Sequence, residues 1–573
     1  MILIGNGVSP GIAVGKIHIH GKFHIEPEKG FCAGGEERSQ ILHYETVKQL
    51  AIDELEKIRL NIEKLDSEKA GIFKAHQDIA DDIVINEEIH NKILKEHWNA
   101  EWAVYKVYDT FLQMVRNAPD PLIAQRASDF EDVCNRILRI MLGIKDDMLS
   151  KINEPVIIAA CDLLPSDTAS MDKVKILAIL TETGGATSHS AIIAKSYGIP
   201  AVLGINGLME TVKQGQLVTV NAIDGTVNTE PDNTYIKEHI LKRDTFLSSK
   251  ELTEAFRNRE GRTKDNVKID IDINITSAAK QELDAEKYVD SVGLFRTEFL
   301  YMGRDTLPSE KEQLNHYKKV LECFKNRPVV LRTVDIGGDK VLSSLDLPKE
   351  ENPFMGNRAI RFCFNYPDIF KTQIRAALRA SVYGNLWLML PMISSLEDIR
   401  KAKDFINSVR EELKNEGKPF GEIKTGIIIE IPSIALIVNQ AVKEVDFASI
   451  GTNDLCQYLC AADRMNSAVE TYYQSYHPAM FTVINNVIKT FNKAGKPISV
   501  CGEMASDPLV TPVLIGFGIR KLSMGAAAVP VIKRALSDFT VKQAEQIAKK
   551  VLKFSTASEV EKYLTRQIAP ALI

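Results

Sequence analysis

One histidine, His189, stands in Thr181-Glu-Thr-Gly-Gly-Ala-Thr-Ser-His-Ser190, where an apolar run gives way to a helical pattern. Hydroxyls and backbone N–H groups at the start of a helix suit an anion, so an imidazole placed there is set to receive a phosphoryl group. The alternative at this point is a histidine that caps the helix or fills a core. Farther along stand Arg296, Arg332, Arg358 and Arg464. Guanidinium forks grip carboxylate and phosphate bidentately, so four of them ask for an anion with more than one charged group. Glu430 and Asp454 suit Mg²⁺, which takes one or two carboxylates and completes its shell with water and substrate oxygens. Cys501 can donate a proton to a carbanion or enolate; a buried structural thiol is the more ordinary fate of a cysteine. A small phosphorylated carboxylic acid bound with Mg²⁺ meets all of these demands.

These residues need elements to hold them. Val174 to Leu180 reads as a buried strand, Gly184-Gly185 as a turn, and Ala191 to Ser196 as a helix. Residues 1 to 20 read as a turn and a strand. From about 35 the character becomes helical, with Tyr44, Val47, Ala51, Leu55, Ile58, Ile62 and Leu65 at spacings of three and four. Two more helical blocks cover Glu101 to Val115 and Phe130 to Leu142. After Asn153-Glu-Pro155, short apolar strands separated by Gly and Asp turns continue to Asn228. The first strand is expected to return to this sheet. Residues 1–34 and 144–230 then form one discontinuous α/β domain, and 35–143 an all-helical insertion in it. Residues 231–262, helical and rich in Lys, Glu and Arg, read as a linker between moving domains.

From 263 to 573 the rhythm is regular. Strand-like runs begin near Val267, Ser291, Val329, Leu386, Gly426, Asp446, Ile498 and Lys521, with helical patterns such as Pro308–Cys323 and Leu396–Gly417 between them. Eight strands alternating with helices make a (β/α)₈ barrel, whose reactive groups belong at the C-terminal strand ends. Arg296 ends the second run, Arg332 the third, and Glu430 the fifth; Asn453 and Asp454 follow the sixth, and Cys501 ends the seventh. Arg358 and Arg464 lie in loops able to reach the same mouth.

The 573 residues are 45% hydrophobic and 26% charged, with a net charge of −5. That leaves no basic surplus for nucleic acid or an anionic membrane, so the partners are small molecules or proteins. Eight cysteines occur without a CxxC pair or metal-ligand spacing, which fits a reducing cytoplasm. The N-terminus lacks the basic and apolar regions of a leader. The longest apolar run, Gly426 to Val438, is broken by Glu430 and Pro432, so no segment is expected to span a membrane.

Seven stretches together carry a resemblance: Gly184-Gly-Ala-Thr-Ser-His189, Gly293-Leu-Phe-Arg-Thr-Glu-Phe299, Leu331-Arg-Thr-Val-Asp-Ile-Gly-Gly-Asp-Lys340, Glu351-Asn-Pro-Phe-Met-Gly-Asn-Arg358, Ile429-Glu-Ile-Pro432, Gly451-Thr-Asn-Asp-Leu455 and Val500-Cys-Gly-Glu503. In the same order along almost the whole chain, they resemble the signatures of the Enzyme I family, the phosphoenolpyruvate-protein phosphotransferases of the bacterial sugar phosphotransferase system. The resemblance implies that His189 takes the phosphoryl group of phosphoenolpyruvate, with Thr168 holding its other ring nitrogen. Arg296, Arg332, Arg358 and Arg464 would bind phosphate and carboxylate, Asn453 would add a hydrogen bond, and Glu430 and Asp454 would hold Mg²⁺. Cys501 would protonate the enolate to pyruvate. Phosphohistidine would then pass its group to a histidine of a small HPr-like carrier docked on the helical insertion, around Ile72-Phe-Lys-Ala-His76, Ile79 and Arg126-Ala-Ser-Asp129. The small domain would swivel between the two partners, and the barrel would form a homodimer. The related dikinases and synthases carry a large nucleotide-binding domain ahead of the histidine; the stretch before His189 is short, much of it the helical insertion, and shows no glycine-rich phosphate loop with Lys, so ATP is not expected as the phosphoryl source.

Three departures from the family pattern stand out. Ala186 replaces Arg before Thr-Ser-His, Cys456 replaces Thr beside the metal ligand, and Ala80-Asp-Asp-Ile-Val-Ile-Asn86 replaces the usual run at the carrier face. A paralogue serving a non-standard carrier and a regulatory phosphoprotein sensing phosphoenolpyruvate therefore stay open as alternatives. A missing guanidinium beside an incoming phosphate costs on the order of 1 to 3 kcal/mol. Ala186→Arg should accordingly speed self-phosphorylation, measured by rapid quench; an unchanged rate would sink the idea.

Overall fold

The computed structural model describes all residues except 21–24, 64–66, 118–125, 145–148, 150–151, 164–166, 168–170, 186–187, 303, 305, 339–344, 346, 349 and 573. The chain divides into two units, Met1–Ser248 and Ser249–Ile573.

The first unit holds a mixed eight-stranded sheet. Its strands are β1 (Ile2–Ile4), β2 (Asn6–Ser9), β3 (Ile12–His20), β4 (Val156–Ala160), β5 (Ile176–Thr181), β6 (Ala201–Leu203), β7 (Leu217–Asn221) and β8 (Thr226–Asn228), in the order β1-β8-β7-β3-β4-β5-β6-β2. The first strands do return to this sheet. The central pair, β3 and β4, is parallel, with Ile17 opposite Ile157. Apolar residues on both faces of β4 and β5 give two separate cores, one around Ile157, Ala178 and Leu180 and the other around Ile158 and Ile179.

Among the described residues, five α-helices run between β3 and β4: α1 (Glu37–Glu63), α2 (Ser67–Ala80), α3 (Ile83–Glu96), α4 (Ala100–Arg116) and α5 (Ala127–Met141). The spacing expected for α1 is realised over Tyr44, Val47 and Ala51, which share a core with Ile85, Ile89, Val104 and Ile137, while the side chain of Ile62 and the whole of Leu65 lie outside the described residues. Asp82, in the departing run, caps α3 by accepting from Val84 and Ile85 N–H. On that helix Ile85 is buried and Ile83 exposed, because residues two apart on a helix point nearly opposite ways. Within the motif expected at a docking face, Phe73 and His76 are buried, Ile72, Ala75 and Ile79 are half-buried and Lys74 is exposed, and His76 Nε2 lies 3.3 Å from Asp129 Oδ1. Sequence matching finds such a motif but does not say which way its side chains turn. A further helix, Asn233–Glu254, has only His239 buried, which accounts for its polar composition.

The second unit closes eight parallel strands into a barrel: β9 (Asp270–Ile275), β10 (Val292–Arg296), β11 (Val329–Arg332), β12 (Leu386–Leu390), β13 (Lys424–Ile429), β14 (Phe447–Ile450), β15 (Ile498–Val500) and β16 (Lys521–Met524). Side chains alternate between its faces. On β12, Leu386, Leu388 and Leu390 join the outer core against the helices, while Trp387 and Met389 join Leu294, Val330, Ile428, Phe447 and Cys501 in a second cluster inside. Among the described residues, no helix is long and apolar enough to cross a membrane.

Inside the barrel there is little slack. A Cβ at Gly293 would lie 2.6 Å from Ser523 Cβ and 2.9 Å from Asp272 Cβ, and Asp272 is tied to Ser291 and Lys521. Gly293→Ala should therefore destabilise the protein by about 1–3 kcal/mol, lowering the urea midpoint of the barrel transition. A midpoint equal to that of wild type would contradict this packing.

Candidate active site

Strand parity builds the site. Leu294 and Val330 face inward, so Arg296 and Arg332, two residues on, face inward at the barrel's C-terminal rim, in register with each other. Ile428 faces inward, so Glu430 does too. On β14 Phe447 faces inward, and continuing that alternation brings Ser449 and then Gly451 to the interior. Ile429, Ile450 and Val500 are in register, so the next residues, Glu430, Gly451 and Cys501, share one level. A Cβ at Gly451 would come within 2.8 Å of Glu430 Oε2; glycine there makes room for the carboxylate.

The rim is an ionic lattice. Arg358 is fully buried and reaches two carboxylates at once, with Nε 2.8 Å from Asp335 Oδ1, Nη2 3.0 Å from Asp335 Oδ2, and Nη1 2.9 Å from Asp454 Oδ1. Arg332 pairs with Glu298 and lies 3.1 Å from Asp335 Oδ2. Burial pulls both guanidiniums down, but the facing carboxylates more than reverse this and hold them firmly charged. Arg464 is 3.9 Å from Asp454 and, like Arg358, lies over the Phe354 ring. Asn453 accepts the Glu503 N–H through Oδ1 at 2.9 Å, which turns its amide N–H₂ to donate elsewhere. Arg332 is held from behind, its carbonyl accepting from Thr297, which in turn accepts from Gln373. Its Nε is a buried donor without a partner among the described residues, a place for an incoming anion.

Glu430 and Cys501 hold their protons more firmly than usual. Burial, with Asp454 and Asp335 adding to it, pushes the Glu430 carboxyl up to about 8; one of its oxygens accepts the Met392 N–H at 2.7 Å, and Met392 sits at φ 57°. A carboxylate that its acidic neighbours drive to hold a proton is a place for a dication, so Glu430 and Asp454 fit a metal. Burial also pushes the Cys501 thiol up, helped by Glu430 and opposed by a Ser449 hydrogen bond and by Arg332 and Arg296. Cys501 therefore keeps its proton at neutral pH.

The barrel thus brings together Arg296, Arg332, Arg358, Asn453, Arg464, Glu430, Asp454 and Cys501. Asn453 and Asp454 lie in the first turn of a helix, Thr452–Cys460, and not in an open loop. Sequence reasoning passed over Asp335 and Glu298, although both sit inside motifs that carry the resemblance; an acid three or two residues after an arginine was the available signal. Cys456, expected beside the metal, is buried in the outer apolar core next to Cys460. In the other unit, His189 is the first residue of a nine-residue helix, His189–Tyr197, and Ser188 is its cap, accepting from Ala191 N–H at 3.3 Å. The capping alternative for His189 therefore falls. Thr168, Ala186 and the side chain of His189 lie outside the described residues.

Three family models match the chain: a PEP-utilising enzyme N-terminal model over residues 4–126, the mobile domain over 152–225, and the PEP-binding domain over 250–541. Full-length relatives are similar. The chain is 40% identical over 569 residues to a phosphoenolpyruvate-protein phosphotransferase of Bacillus sp. (strain S), covering 99% of this chain and 98% of that one. Proteins of the same description from Bacillus subtilis (strain 168), over 560 residues with 97% and 98% covered, and from Geobacillus stearothermophilus, over 569 residues with 99% and 98% covered, are also 40% identical.

The raised carboxyl has a measurable consequence. Between the ordinary value of 4.5 and about 8, the folded chain holds a proton on Glu430 that the unfolded chain has lost, so stability falls as pH rises through that window. In chelator, wild type should lose stability to urea from about pH 5 to 8 more steeply than Glu430→Gln, which cannot ionise. Parallel profiles would show that Glu430 is not the strained acid.

Proposed function

We infer the reaction from a premise the relatives establish: the chain belongs to the phosphoenolpyruvate-protein phosphotransferases, within the PEP-utilising enzymes. It transfers the phosphoryl group of phosphoenolpyruvate to a histidine of a carrier protein and releases pyruvate, the first step of a sugar phosphotransferase system. The observation that carries the residue assignment is the buried lattice of Arg332, Arg358, Glu430 and Asp454 with the protonated Cys501 beside it.

Phosphoenolpyruvate is a polyanion, and the guanidiniums of Arg296, Arg332, Arg358 and Arg464 take its phosphate and carboxylate. The unpartnered Nε of Arg332 and the amide of Asn453 are the donors ready for it. Glu430 and Asp454 would hold Mg²⁺, which would supply positive charge to offset that of the substrate. A ring nitrogen of His189 forms the N–P bond as the ester P–O bond breaks, and the enolate leaves with that electron pair. Thr168 orients the imidazole through its other nitrogen. Fixed charges aimed at the transferring group are the main catalytic device, since phosphoryl transfer asks for little covalent work from the protein. The enolate carbon then takes the proton of Cys501 Sγ, and water restores the thiol.

His189 serves the barrel first and the carrier second, which assigns the 231–262 segment as the hinge. An HPr-like carrier docks on the helical block, where exposed Leu42, Ile83 and Val84 supply apolar surface; the altered 80–86 run makes this face the place where carrier choice is decided. Exposed Leu436, Met465 and Tyr472 on the barrel unit support a homodimer. The free thiols of Cys134, Cys363, Cys456 and Cys501 support a cytoplasmic setting.

Incubation with ³²P-phosphoenolpyruvate and Mg²⁺ should label wild type with an acid-labile, alkali-stable phosphate, leave His189→Ala unlabelled, and pass the label to added HPr. Wild type that takes up no such label refutes the reading, and a label that stays on the enzyme with every HPr tried turns it into a phosphoprotein sensor.

A further inference from the structure

At the root of the helical block, three groups that the reaction does not use converge from distant positions. Cys32 Sγ, a Glu37 carboxylate oxygen and a ring nitrogen of His97 all lie within 4.8 Å of one another. His97 Nδ1 is 2.9 Å from Glu37 Oε1. The backbone fixes the meeting: the Cys32 N–H donates to the His97 carbonyl at 2.8 Å, the Asn99 N–H donates to the Gly30 carbonyl at 3.0 Å, and Phe31 pairs with Trp98 between them. His97 occupies the left-handed region, φ 55° and ψ 32°, as the last cap of α3, a conformation that a non-glycine residue adopts at a cost. The second Glu37 oxygen accepts the Gly35 N–H at 2.9 Å, the kind of outer support that orients a ligating carboxylate.

We propose that Cys32, Glu37 and His97 form a Zn²⁺ site with three protein ligands and an open fourth position. Thiolate, imidazole and carboxylate are the donor set of tetrahedral zinc, and the sulfur turns the site away from Mg²⁺, which takes oxygen. Zinc bonds of about 2.0–2.3 Å place ligand atoms roughly 3.3–3.7 Å apart, and these groups already lie within 4.8 Å of one another. On binding, the Cys32 S–H proton leaves to water and the sulfur lone pair enters the zinc bond. The His97 side chain is 55% exposed, which leaves the fourth position open to solvent. The ion would clamp the start of α1 to the α3–α4 turn. No spacing in the sequence signals this, because His97 follows Glu37 by sixty residues and meets it only through the fold.

The full-length protein, stripped with chelator, is titrated with Co²⁺ and then Zn²⁺. Wild type should develop one thiolate-to-cobalt charge-transfer band, saturating at one Co²⁺ per chain and displaced by Zn²⁺. Asp454→Asn, which removes a ligand of the barrel metal, should keep the band. Cys32→Ser should abolish it, and His97→Ala or Glu37→Gln should weaken Co²⁺ binding about 10- to 100-fold, with circular dichroism unchanged. The absence of a thiolate band, a band that survives Cys32→Ser, or full affinity in His97→Ala and Glu37→Gln overturns the site and leaves a His97–Glu37 hydrogen bond beside a thiol.

Discussion

The bidentate grip of Arg358 on Asp335 and Asp454 is the interaction on which the rest of the barrel mouth depends. A buried guanidinium is tolerable only when its donors are satisfied. Arg358 satisfies them with carboxylates from two different places: Asp335, just past β11, and Asp454, in the helix after β14. Asp335 is shared with Arg332, and Arg332 reaches on to Glu298 after β10. One chain of charge thus crosses the rim. Removing a link would strand a buried charge, at a cost of about 3–5 kcal/mol, so geometry and stability are held by the same residues.

That lattice also sets the electrostatic state of its neighbours. Asp335 and Asp454 neutralise the arginines but leave Glu430 crowded by like charge in a dry place, which is why its proton is retained. The site is close to neutral as it stands, and a highly charged substrate and a dication complement each other in it. Cys501, one level with Glu430, keeps its proton for the related reason that burial penalises a thiolate. The protons retained on Cys501 and Glu430 therefore share one cause, the low dielectric of the barrel interior, acting on different chemistry.

Much of this was legible in the chain. The alternation of apolar residues located the strands, and the reactive residues at their ends identified the mouth, because a two-residue period carries Leu294 to Arg296 and Ile428 to Glu430 on one face. What escaped was anything decided by long-range pairing. Asp335 and Glu298 read as ordinary acids until two arginines close on them. Helical phase separates Ile83 from Ile85, and it turns Phe73 and His76 inward while Lys74 between them faces out. Cys32 and His97 are unremarkable until a pair of backbone hydrogen bonds brings them together.

The order of the first sheet governs how that unit can be made. β3 lies between β4 and β7, whose residues begin at 156 and 217. A chain emerging from the ribosome presents β3 with neither neighbour, and then makes the helices α1 to α5, which pack on one another. The helical block can settle while β3 waits with both edges bare, so synthesis of this unit passes through a stage in which the inserted part is complete and β3, made before it, is still without its partners.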